Sequence, residues 1–538
     1  MNRRLYLILQ SAAWRSHPAP PPVIQKTDPS GSEQPATEGA MTNVRMNVYN
    51  LPPSSGDWPE WFTWYARGVK ALQDLPMDDK LSWRFYAAIH GYNGTVWNNK
   101  KLLRLGERLP DLDVIKEYWN QCQHQTWFFL PWHRGYLYAM EEILRTEIVK
   151  QGGPSDWTLC YWNYFAKGQN AIPSPFLDKI IPGSSGEANP LYIPDRTTVI
   201  SQDEISRWAL KQPWFTGGLI FDGFGGPETG FSNFGRANGS VENDPHNIVH
   251  SIIGGLMGNP RTAAFDPIFW LHHANIDRLW ETWVRSGGKN PTKTNWLNGP
   301  LPTTGRKFII PRVSDLAWTF TPTDMTSLST LGYSYESYAP LDDSDAFSAE
   351  LDTQPAFTGL HPVPRSPFPA KPTGEGAMHP GTPELVGALD EPLTVVGYEA
   401  DTVVEIDNSA KPKLTGLMAA PLNLTESDTR LVMRIDNVTG DYGAVTLAIF
   451  IVPPAAADPS GASDLKVGSI GLFGVELASD PDGPHAGQGV SFILDLTEAM
   501  SGQGWQGEDV TVRFVSLKPV PPSANITIGK ISIYLQAG

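Results

Sequence analysis

The chain runs to 538 residues, enough for several domains and a full apolar core. With 41% apolar and 18% charged residues, 50 Gly and 48 Pro, it has the make-up of a loop-rich globular enzyme rather than a coiled coil or a disordered tail. The 41 basic and 57 acidic side chains leave a net charge of −16, which repels phosphate backbones and anionic lipid and excludes nucleic-acid binding as the main task.

Residues 1–42 are rich in Pro, Ser and Gln, carry no periodicity and are expected as a disordered leader. Their apolar stretch, Leu5 to Trp14, is broken by Gln10 and Ser11, so neither a signal peptide nor a membrane anchor is expected and a cytoplasmic location follows. Cys122 and Cys160 are the only cysteines, too few for a secreted disulfide framework. Trp58, Trp61, Phe62, Tyr65, Val69 and Leu72 recur at helical spacing and predict a helix from Trp58 to Gln73; a second spans Leu81 to His90. Pro131, at the first helical position, opens a third that Lys150 and Gly152 close. Asp244-Pro245 and Asp266-Pro267 each read as an N-cap followed by proline and predict a helix after them. Residues 43–340 therefore read as a mainly α-helical bundle with long loops, and residues 341–386 as a Pro/Gly-rich linker. Between residues 387 and 538, β-branched runs such as Thr402 to Ile406, Leu431 to Ile435, Ala444 to Val452 and Val510 to Phe514 alternate with turn residues, predicting an all-β sandwich. The expected fold class is multidomain α+β.

Seven of the 11 histidines, His90, His124, His133, His246, His250, His272 and His273, fall between residues 90 and 273. His246 and His250 stand at i and i+4, so on a helix both imidazoles leave one face and can share a metal ion. His133 belongs to the first turn of the third helix, whereas His124 lies on the wrong face for that helix and approaches from the preceding loop. Imidazole suits Zn, Cu, Fe or Ni, and the lack of an adjacent carboxylate argues against Mg, Ca and Glu-x-x-His di-iron sites. Two groups of three suggest two copper ions.

Ile89-His90-Gly91, Cys122-Gln-His124, Phe129-Leu-Pro-Trp-His133-Arg134, Pro245-His246-Asn247-Ile-Val-His250 and Asp266-Pro-Ile-Phe-Trp-Leu-His272-His273-Ala-Asn-Ile-Asp277-Arg278 together closely resemble the tyrosinase and polyphenol oxidase family of type-3 copper proteins, in a bacterial-type long form. The resemblance implies that His90, His124 and His133 bind one copper, that His246, His250 and His273 bind the other, and that His272 serves packing and hydrogen bonding. It further implies a thioether between Cys122 and His124, a ligand-orienting pair in Asp277 and Arg278, and an Arg45 pairing with Tyr333-Ser-Tyr335 that marks the ends of the catalytic domain. Asn163 departs from the family's acidic residue, which puts the ion pair of that position in doubt. Glu242 and Asn247 match residues that hold a water to take the phenol's proton. Phe269 is expected to stack across the copper face, Pro260 to stand at the gate flanked by Asn259 and Arg261, and Arg261 to offer a contact for a substrate carboxylate.

The implied activity is ortho-hydroxylation of monophenols and oxidation of o-diphenols to o-quinones with O2. Catechol oxidase, a haemocyanin-like oxygen carrier and a dizinc hydrolase are the alternatives. The β domain is expected either to cover the active site or to assemble subunits, and the small Pro260, which implies an open mouth, favours a homo-oligomer built through this domain.

Overall fold

The computed structural model describes residues 43–54, 58–231, 237–300, 307–338, 383–418, 429–453, 464–483, 486–501, 505 and 507–536. The leader 1–42 and all but the last few residues of the linker expected at 341–386 lie outside them. The five predicted helices form: α1 (Glu60–Asp74), α2 (Trp83–His90), α3 (Phe129–Lys150), the short α4 (Ile248–Ile253) and α5 (Ile268–Arg285). None of the described helices is long and apolar enough to cross a membrane.

Two helix starts differ from expectation. α3 begins at Phe129, so Pro131 sits inside the first turn, where its missing N–H removes no intrahelical bond. Asp244 does not cap: its backbone is extended (φ −139°, ψ 116°) and its carboxylate accepts from the Ser206 amide and hydroxyl at 2.9 and 2.6 Å. The chain instead passes through a kinked π-type turn, Glu242–Asn247, before α4 begins. α5 is the central helix, buried at every residue from Ile268 to Trp283, so its polar side chains His272, His273, Asn275, Asp277 and Arg278 are buried along with its apolar ones. Trp270 on α5 packs against Tyr136 on α3, with ring centroids 4.8 Å apart.

The two ends of the helical domain meet in a parallel strand pair, β1 (Asn43–Arg45) with β2 (Tyr333–Tyr335). Arg45 is wholly buried there, its guanidinium 3.9 Å above the Tyr333 ring, donating to Glu141, Asp277 and the Tyr335 hydroxyl. Such a buried cation needs these carboxylates, because desolvation would otherwise be prohibitive.

The C-terminal part is all β: β3 (Glu384–Leu389), β4 (Leu393–Thr394), β5 (Gly397–Ile406), β6 (Arg430–Thr439), β7 (Thr446–Val452), β8 (Leu465–Gly471), β9 (Val490–Asp495), β10 (Val510–Val520) and β11 (Thr527–Gln536). They follow the order β8-β7-β10-β5-β3-β11-β6-β9, with β4 paired to β11, and every pairing is antiparallel. Among the described residues the two halves pair through Gly387 to Ile406 and Ala388 to Glu405, a narrow hinge, and the sheet surrounds its own apolar core. β3 starts inside the segment read as linker, and β8 was not anticipated.

One aromatic residue does not respect this division. Phe473, two residues beyond β8, is 3% exposed and packs into the core of the helical domain. Gly471 makes that reach possible: a Cβ there would lie 2.5 Å from the backbone carbon of Asn247, so only glycine fits so close to the turn before α4. The Glu204 carboxylate, accepting from the Ser469 hydroxyl at 2.5 Å and from Lys466, fastens β8 to the helical domain.

Candidate metal centre

Seven buried histidines from five places in the chain converge. α2 ends on His90, the loop before α3 carries His124, α3 carries His133 in its first turns, the turn before α4 and α4 itself supply His246 and His250, and α5 supplies His272 and His273. One ligand atom each from His90, Cys122, His124 and His133 lies within 4.8 Å of the others, and the same holds for His246, His250, His272 and His273.

Hydrogen bonds fix which ring nitrogen faces inward. Nδ1 of His90 lies 2.8 Å from the Pro260 carbonyl, Nδ1 of His133 2.8 Å from the Phe129 carbonyl, and Nδ1 of His250 2.8 Å from the Met257 carbonyl. A carbonyl has no proton to give, so in each neutral ring Nδ1 carries the hydrogen and Nε2 keeps its lone pair. His246 follows the same rule, donating from Nδ1 to Oδ1 of Asn247 at 2.8 Å. Nε2 of His90 and of His246 is buried with no hydrogen-bond partner, and Nε2 of His250 and His273 face each other at 3.2 Å. Leaving such acceptors unpaired is costly, and a cation is what the arrangement accommodates.

Burial also keeps the rings neutral. It pushes His90 down to about 4 and His246 to about 3, and it lowers His124, His133, His250 and His273 well below the ordinary imidazole range, reinforced by their mutual repulsion. Neutral imidazole is the ligating form.

The adjacent histidines of α5 have different surroundings. His273 stacks on His133 of the first group, centroids 4.5 Å apart, and reaches His250 of the second. His272 packs instead on His246, His250 and the Tyr164 ring. Phe269 lies between the groups, its ring centroid 4.0 Å from that of His273 and 5.0 Å from that of His90. Cys122 holds its sulfur 3.3 Å from Nδ1 of His124 and 3.3 Å from Nε2 of His133.

Around this shell the remaining site residues separate. Glu242 is buried and accepts from the Gln125 amide with both oxygens at 2.8 Å, bracing the loop that presents His124; burial pushes its carboxyl well up, against the opposing amides of Gln125 and Gly239. Asn247 orients His246 and donates onward to Asn238. The carboxylate of Asp277 bonds to no imidazole among the described residues: its partners are Arg134, Arg45, Tyr333 and Tyr335. Burial raises that carboxyl, but Arg134 and Arg45 outweigh it and hold it below its usual range. Arg278 bonds Asn275 and, at 3.3 Å, the Asn163 amide, so the ion pair in doubt at Asn163 is replaced by a neutral contact.

The open mouth expected from Pro260 is not observed. Phe473 lies nearly parallel to His250, centroids 4.1 Å apart, and also touches His246 and His124. Nothing local to Phe473 in the sequence signals this insertion. Asn259 and Arg261 face the same β segment, with Nδ2 of Asn259 donating to Glu476 at 2.6 Å.

A helical bundle holding two buried imidazole groups side by side defines a type-3 dicopper protein, and the two groups fit two copper ions. A family model described as the common central domain of tyrosinase matches residues 80–286, and one described as a domain of unknown function matches residues 382–536. A tyrosinase from Hahella sp. (strain CCB-MM4) is 32% identical over 514 residues, covering 91% of this chain and 99% of its own. (+)-Larreatricin hydroxylase of Larrea tridentata and the latent polyphenol oxidase of Prunus armeniaca are 29% and 28% identical, each over less than half of either chain. The fold resembles that of latent apple tyrosinase, with a TM-score of 0.54 at 18% identity over 96% of this chain and 100% of that one. The chain belongs to the tyrosinase family of copper-dependent oxidoreductases.

Proposed function

We propose that the protein is a tyrosinase that hydroxylates monophenols at the ortho carbon and oxidises o-diphenols to o-quinones. The observation that carries the reading is the set of inward-facing Nε2 atoms, each kept free of its proton by an outward Nδ1 bond. His90, His124 and His133 would hold one copper ion, and His246, His250 and His273 the other. His273 is preferred to His272 because its ring alone bridges toward His133. When bound, the copper pair supplies electrons to dioxygen and activates it for attack on a phenol. The chain's own residues supply placement and proton handling. Phe269 keeps water from the space between the groups, and the backbone and amide acceptors on Nδ1 fix ring orientation. Glu242, with its carboxyl raised by burial, receives the phenol's proton by way of water, and Asn247 holds His246 steady beside it.

The β domain acts as a cover in this reading, because Phe473 lies on the His250 face that a phenol ring would approach. A homo-oligomer built through the same domain is the competing assignment, and light scattering on the full chain separates them. Assaying the copper-loaded protein, with the 339–382 segment cleaved, on a monophenol and its diphenol tests the activity. Quinone from both supports a tyrosinase; quinone from the diphenol alone points to a catechol oxidase; reversible oxygen binding without quinone points to a carrier.

A further inference from the structure

His90, His133 and His250 each donate from Nδ1 to a backbone carbonyl, whereas His246 donates to the side-chain amide of Asn247. A carbonyl can only accept, but an amide has a donor end as well. Turned over, Asn247 would aim its NH2 group at Nδ1 of His246. The ring could then answer only as an acceptor, and its proton would move to Nε2, the atom that must stay free if the ring is to ligate. Whatever fixes the Asn247 amide therefore fixes the tautomer of His246. That group is Asn238, whose Oδ1 accepts from Nδ2 of Asn247 at 3.1 Å in a place where all three side chains are buried.

The backbone beside Asn238 is pinned on both sides. Gly239 lies so close to Gly226 that a Cβ would come 2.4 Å from the Gly226 nitrogen, and the Ser240 amide and hydroxyl each donate to the Gly223 carbonyl at 2.8 Å. Ala237 bridges in parallel to Ser491 of β9, so one edge strand of the sheet reaches the base of this relay while the other, β8, reaches Asn247 through Gly471. Nδ2 of Asn238 is buried with no hydrogen-bond partner among the described residues, an expensive arrangement. Packing alone would be better served by an apolar residue, so the acceptor end of Asn238 is what the site uses. We propose that Asn238 is a positioning residue for the second copper: through Asn247 it keeps the His246 proton on Nδ1 and leaves Nε2 free to ligate. The inference rests on the reading of His246 as a ligand of that ion.

Copper(I) affinity of the full-length chain, read by competition with bicinchoninate, tests it. Asn238→Leu, close in size but unable to accept, is expected to leave one copper bound as in the parent and to weaken the other about 10- to 100-fold. Asn238→Ala, which leaves room instead of bulk, should show the same selective loss and serves if Asn238→Leu does not fold. Asn238→Asp, which can only accept, should hold both ions at parent strength. Adding Asn238→Leu to Asn247→Leu should cost nothing beyond Asn247→Leu alone, because the first residue acts through the second. The proposal is overturned if the truncated variants hold both ions at parent strength, or lose both ions equally. Equal weakening by Asn238→Leu and Asn238→Asp also overturns it, since the position would then matter for packing and not for its acceptor. Failure of the ligand reading looks different: His246→Ala would itself keep both coppers.

Discussion

His272 and His273 are neighbours in sequence, yet only His273 faces both imidazole groups, so the two should respond differently to truncation. His133→Ala and His273→Ala are expected to lose coupled-copper turnover, measured as diphenol oxidation at full copper supplementation, and His272→Ala to retain a substantial part of it. Glu242→Gln and Asn247→Ala should lower monophenol hydroxylation by a larger factor than diphenol oxidation, because hydroxylation depends more on making a phenolate. Equal losses on both substrates would leave these residues only their observed duties, bracing Gln125 and orienting His246. Asp277 belongs to a different class. Asp277→Ala removes the shared partner of Arg45 and Arg134 and leaves two buried cations undercompensated, which should cost about 3–5 kcal/mol in denaturant unfolding.

In the proposed reading, the strand β8 and the turn after it govern a substrate's access to the histidine groups. Gly471→Val places a side chain where Asn247 backbone already lies, so β8 must rise and take Phe473 with it. Diphenol oxidation by the uncut chain should then increase several-fold, with unchanged far-ultraviolet circular dichroism. Burial raises the Glu476 carboxyl against the opposing Gly443 amide, Arg261 and Lys100, with Asp441 adding to the rise. The seated segment therefore binds its proton more tightly than the lifted one. Seating is favoured below the ordinary carboxylate pKa and weakens as pH climbs through the raised value. Hydrogen exchange of residues 465–478 should accelerate over that window, and Glu476→Gln should flatten the response. β8 itself was illegible in the sequence, since Gly468, Ser469 and Gly471 dilute its β-branched pattern. Gly471 serves close approach, and that need arises only from the other domain. By contrast α5 and the His246/His250 spacing were readable because helical periodicity is local, and His124 could be placed in a loop by elimination.

At the scale of the whole molecule, a histidine-lined interior and a β cover are stabilised together. Chelating the copper should lower Tm, since the metal binds the folded chain far better than the unfolded one. Cleavage between residues 339 and 382 should raise activity on bulky phenols if the β domain is a cover, with subunit mass by light scattering unchanged. A fall in mass without a gain in turnover would favour assembly. The parallel pair β1–β2 carries one more implication. Arg45 and Tyr335 come from opposite ends of the helical domain yet share a hydrogen bond of 2.9 Å, so that domain begins and ends at one spot. A unit whose entry and exit coincide behaves as a cassette: sequence appended beyond either end, or the whole unit spliced into another host, leaves its interior contacts untouched. Gene fusion can therefore exchange what is appended to such a helical domain while its own strand pair and ion-pair cluster are inherited intact.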